Sequence, residues 1–136
     1  MKSKLKTFFA LSLGFLAVCG VMFAHHGTNA SYDMDKEVTL TGTVTSFLWS
    51  NPHCQVYFDV KDDKGNVVQW GAETHSPGQL KNGGWNRETL KPGDLITITV
   101  NPSRAGSPVG VISKIVLPNG KAYSRAQMAG GGNAGN

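Results

Sequence analysis

The stretch VTLTGTVTSFLW, residues 38–49, sets Val38, Leu40, Gly42 and Val44 against four alternating threonines. A period of two over that length reads as a half-buried β-strand. CQVYFDV (54–60) and VVQWGAET (67–74) repeat the alternation on either side of KDDKGN, a polar connection with a glycine suited to a tight turn. DLITITV (94–100) and VGVISKIVL (109–117) restore it after an interruption, and PNG at 118–120 makes a terminal turn. The interruption, SPGQLKNGGWNRETLKPGD, is broken by Pro and Gly and has room only for short helical turns around 77–82 and 86–90. No helical period is long enough for an α/β fold, and no repeat of 20–50 residues occurs. The expectation is all-β: five antiparallel strands near 38–49, 53–61, 67–75, 94–101 and 109–117, closing as a small OB-like barrel with an irregular insert between strands 3 and 4. A small open sandwich is the competing architecture.

Parity makes the central hairpin more specific. Val56, Phe58 and Val60 share one face of their strand, as do Val68, Trp70 and Ala72, and both sets must enter one core. Pairing Val60 with Val68 puts Phe58 opposite Trp70 and Val56 opposite Ala72, each pair of numbers summing to 128. Extended to the end of the ladder, that register places His53 opposite His75 on the outer face, within the cross-strand contact distance of about 4.5–5.5 Å. Val44, Ile96 and Ile98 complete the expected core. Trp70 is expected inside, and Trp85, in its Gly-rich surroundings, is expected to be cheaper to lose.

The amino terminus reads as an address. Lys2, Lys4 and Lys6 precede the apolar run FFALSLGFLAVCGVMF, and Ala24 is a small residue at its end, so 1–24 has the layout of a secretory signal peptide. An uncleaved membrane anchor, cleavage after Ala30, and lipidation at Cys19 in LAVC are the alternatives. The leader holds three of the 13 basic residues, which leaves 10 against 9 acidic ones in the mature chain, so the formal charge of +4 is mostly a targeting signal. No nucleic-acid partner is expected. Losing Cys19 leaves Cys54 alone, excludes an intramolecular disulfide, and gives Cys54 the parity of a small buried hydrophobe. The remaining 112 residues suffice for one domain, placed at 25–123, with 124–136 read as a disordered Gly-rich tail and no membrane span after leader removal.

Cleavage after Ala24 would make His25 the new amino terminus, next to His26. Its α-amino and ring nitrogens could then chelate a metal, and one further imidazole would complete a T-shaped nitrogen set of the histidine-brace type. Such ligands suit copper, which heads the divalent affinity order and accepts tetragonal geometry. The candidate metal ligands are therefore His25, His26, His53 and His75, with Glu73 available to orient an imidazole. Against this stand an ordinary flexible polar start at His25-His26, a turn-capping role for His53 after Asn51-Pro52, and an ordinary exposed cross-strand contact between His53 and His75. Trp49 and Tyr57 are candidates for an aromatic platform facing a sugar or a base, or for simple packing.

HHG after the leader, LWSNPHCQVYFDVKD, GGWNRETLKPGDLITITV and SRAGSPVGVISKIVLPNGK together resemble a family of small secreted bacterial proteins catalogued as a domain of unknown function. The resemblance covers nearly all of 25–123 and rests on His25 and His26, on Trp49, Asn51, Pro52 and His53, on Gly84-Trp85, and on Leu90 to Asp94. His75 is not one of these hallmarks. The resemblance implies an all-β barrel and a periplasmic or secreted location, with no activity attached.

Neither G-x-S-x-G, H-E-x-x-H nor a phosphate loop occurs, and no nucleophile–base set stands out, so the chain is not expected to be an enzyme. Two readings remain: a periplasmic copper-binding protein, or a metal-free binding or accessory module of a cell-envelope complex with a protein or glycan partner. The mature amino terminus discriminates between them, because a later, blocked or lipidated start removes the chelate.

Overall fold

The computed structural model describes residues 31–132, so the expected leader and cleavage site, His25 and His26 lie outside the described residues, as do 133–136. The strands are β1 (Val38–Leu48), β2 (Gln55–Lys61), β3 (Val67–Glu73), β4 (Leu95–Pro102), β5 (Val109–Val116) and β6 (Ala122–Ser124). Two short helices, α1 (Pro77–Asn82) and α2 (Arg125–Met128), complete the elements of the described residues. Hydrogen bonding runs β3-β2-β1-β4-β5-β6, and an additional β3–β5 pairing closes the first five strands into an OB-like barrel.

One junction departs from the expected antiparallel barrel. β3 and β5 pair in parallel through Gly71↔Val109, Ala72↔Gly110 and Glu73↔Val111. The reason is arithmetic: a closed ring with an odd number of strands cannot alternate direction all the way round, so one neighbouring pair must run parallel.

The hairpin has the register that parity requires, with Val60↔Val68, Phe58↔Trp70 and Val56↔Ala72. Val44, Val56, Phe58, Ile96 and Ile98 are buried, whereas Val60 and Trp70 pack against the core from its half-exposed margin. Gly42 is required where β1 crosses β2, because a Cβ there would stand 2.7 Å from Phe58 Cδ2 and from the Asp59 carbonyl oxygen. A register shift between Val44 and Ser46 then re-phases the strand, so Phe47 and Trp49 pack inward while Leu48 faces out.

The insert contributes more to the core than its composition implies. α1 begins with a capping box in which the Ser76 hydroxyl accepts from the Gln79 N–H and the Gln79 side chain returns to the Ser76 N–H. It delivers Leu80, and the loop after it delivers Trp85 and Leu90, all buried. Trp85 takes edge contacts with Phe47 and Tyr123 at 6.2 and 5.2 Å. It is a core residue, contrary to the expectation that it would be cheaper to lose than Trp70.

The tail reading is corrected for 124–132. Ser124 and Gln127 form a second capping box, and α2 buries Met128 completely. Gly83 permits this docking, since a Cβ at that position would collide with the Met128 carbonyl oxygen. No helix of the described residues is long and apolar enough to cross a membrane.

Candidate functional site

Where β3 and β5 part after Glu73↔Val111, a hollow of about 210 Å³ opens, lined among others by Met34, His53, Glu73, His75, Ile112 and Arg125. Both described histidines therefore reach one place, but not as a directly opposed pair. The ladder keeps its register as far as Gln55↔Glu73. Beyond it the Cys54 N–H donates to the His75 carbonyl while the Cys54 carbonyl accepts from the Thr74 N–H, so two residues face one. This irregularity moves His75 out of direct opposition to His53.

Each imidazole has one ring nitrogen engaged. His53 Nδ1 is paired with Glu73 Oε1. A carboxylate can only accept there, so Nδ1 carries the proton and Nε2 of the neutral ring keeps its lone pair. His75 Nε2 donates to the Arg125 carbonyl oxygen at 2.8 Å, which leaves Nδ1 as its bare nitrogen. Glu73 is held in turn by the Tyr32 hydroxyl, which donates to Oε2 at 3.4 Å. Burial, and then the neighbouring Glu73 carboxylate, push the Tyr32 phenol above its ordinary range, so it remains a donor at neutral pH.

The far wall is built by α2. Arg125 Nε donates to the Ile112 carbonyl and Nη2 to Asn101 Oδ1, at 2.9 and 2.8 Å. Buried Asn101 also donates through Nδ2 to the Met34 and Lys36 carbonyls, tying the incoming chain to the same wall. Desolvation lowers the Arg125 guanidinium from its usual range without discharging it. The incoming chain is further fixed by the Tyr32↔Ser103 bridge and by the Asp33 N–H donating to the Pro102 carbonyl at 2.8 Å.

His53, His75 and Glu73 thus come together, while His25 and His26 lie outside the described residues. Among the described residues, no group of three or more His, Cys, Asp or Glu is arranged to hold a metal ion. Cys54 is buried with its Sγ 3.9 Å from the Ser50 carbonyl, and burial pushes its thiol up, away from ligand chemistry. Trp49 and Tyr57 line separate hollows and do not form one platform. Tyr32, Met34 and Arg125 escaped the sequence reading, although the capping pattern S-x-x-Q at 124–127 marked a helix start beside Arg125.

The sequence model of a family of unknown function, DUF6152, matches residues 14–113. No curated protein matches the chain. Among solved structures the chain is similar to a chain in the crystal structure of a complex of TiaS with an isoleucine transfer RNA and ATP, with 18% identity and a TM-score of 0.40. That similarity covers 60% of this chain and 18% of the other, so this chain spans only a small part of that protein's length.

Proposed function

This chain belongs to DUF6152, a family of unknown function, and we propose that it is a secreted or periplasmic protein that binds a single copper ion for storage, delivery or sensing rather than catalysis. The observation that supports this reading is the state of the two imidazoles in the hollow. Each has one nitrogen held by an acceptor, Glu73 for His53 and the Arg125 carbonyl for His75, and the other nitrogen without a partner among the described residues. Metal-ligating histidines usually have this outer support, which fixes the tautomer and ring direction before the ion arrives.

His53 Nε2 and His75 Nδ1 would serve as ligands, and His25 would supply its ring and α-amino nitrogens after cleavage behind Ala24. His26 would stand in reserve. Tyr32 already touches Glu73, and the seven residues from His26 to Tyr32 can span up to about 25 Å, ample to bring the new amino terminus to the hollow. Nitrogen ligands in this number favour Cu(II) over harder divalent ions.

Arg125 supports a second reading. A guanidinium in the wall, bonded to neutral oxygens, suits an acidic group from an envelope partner better than a cation. Native mass spectrometry of protein beginning at His25 separates the two. The copper reading expects one Cu(II) per chain, with weakened uptake once a residue is added before His25. Absence of copper uptake by the correctly processed chain would leave the accessory-module reading in its place.

A further inference from the structure

A second hollow, of about 410 Å³, is lined by Trp49, Lys81, Asn86, Arg87 and Glu88 and shares no residue with the histidine site. Its volume falls within the roughly 300–1,000 Å³ of small-molecule sites. It is assembled from two elements distant in sequence: the β1–β2 connection brings Trp49, and the insert after β3 brings the rest.

Each wall has a distinct chemistry. Trp49 is held edge-on against Phe47, with ring centroids 5.7 Å apart at 84°, while also lining the hollow. Lys81, in the last turn of α1, and Arg87 are exposed, and among the described residues neither has an acidic partner within ion-pair distance. Glu88, the only acid in the lining, has its carboxylate 3.6 Å from Lys91 Nζ. The Asn86 side-chain oxygen accepts from the Glu88 N–H at 2.8 Å, and Asn86, whose amide nitrogen is not used by that bond, lines the hollow.

We propose that this hollow is a binding site for a carboxylated sugar, such as a uronic-acid unit of an acidic oligosaccharide. The C–H face of a sugar ring carries slight positive charge and complements the negative face of an indole. Lys81 and Arg87 would take the carboxylate, Arg87 as a two-pronged donor, and Asn86 would donate to a hydroxyl. A long, densely charged strand such as nucleic acid fits less well than one or a few carboxylates. The chain beyond residue 24 has 10 basic residues against 9 acidic ones, and one aromatic side chain offers stacking for a single ring. The site depends on neither copper nor the mature amino terminus.

The test is titration of the full mature chain with tri-galacturonic acid, with its methyl-esterified form of the same length, and with a nucleoside monophosphate, followed by tryptophan fluorescence and amide chemical shifts. The acidic sugar is expected to bind at least about tenfold more tightly than the ester and the nucleotide, with shifts centred on residues 49 and 81–88, and to weaken as salt rises. Lys81→Ala/Arg87→Ala, which alters exposed side chains only, is expected to remove the preference for acid over ester. Trp49→Ala is expected to lower affinity for both sugars, and Trp49→Tyr to restore part of it. Equal binding of acid and ester, tighter binding of the nucleotide, no saturable binding, or shifts elsewhere on the barrel would overturn the proposal.

Discussion

Trp85 is 2% exposed and packs between Phe47 and Tyr123, whereas Trp70 sits at the half-exposed margin of the core. Deleting a buried indole typically costs about 3–5 kcal/mol, so Trp85→Ala should lower the denaturant midpoint well beyond Trp70→Ala. Equal midpoints for the two variants would contradict the burial order. The reversal of the expected ranking has a local cause: composition around Trp85 reports turn formation, and says nothing of where the turn leads a side chain. Cys54 was legible because strand parity settles its face. Its thiol is buried and pushed up, so the native chain beginning at His25 should react with Ellman's reagent only as fast as it opens, and rapid stoichiometric labelling would contradict this. His75 shows the limit of parity. A single two-against-one irregularity at Cys54 breaks a register that holds for the seven pairs before it.

Elements with a strong period were readable, and those carried by few residues were not. All five long strands lie close to where alternation puts them, because each must turn one face to a single core. α2 is four residues long and shows no period, yet its Ser124–Gln127 box repeats the Ser76–Gln79 box that starts α1. The Gly-rich composition after it concealed that signal. Met128 is fully buried and receives a Thr74 hydroxyl contact at 3.7 Å, so Met128→Ala should cost about 2–5 kcal/mol, visible as a fall in thermal midpoint. An unchanged midpoint would return 124–132 to the status of a tail. Because α2 also carries Arg125, whose carbonyl holds His75, its displacement should disturb the hollow as well as the core.

At the scale of the whole molecule, closure determines where chemistry can collect. An odd barrel must contain a parallel seam, and the hollow with both described histidines opens where that seam ends at Glu73 and Val111. Sequence could supply the ligand candidates His53 and His75 and the supporting carboxylate. It could not supply Tyr32, Met34 and Arg125, which come from outside the expected barrel strands and meet the hollow only through tertiary packing. Protons compete with a metal for imidazole and amine nitrogens, so copper affinity should fall as the solution is acidified. The most direct test of the copper account is titration calorimetry with Cu(II) on the chain beginning at His25. The account predicts a single site, weakened by at least about tenfold, or 1.4 kcal/mol, in each of His53→Ala and His75→Ala, and further in the double variant. Identical Cu(II) affinity in the wild type and the double variant would contradict it.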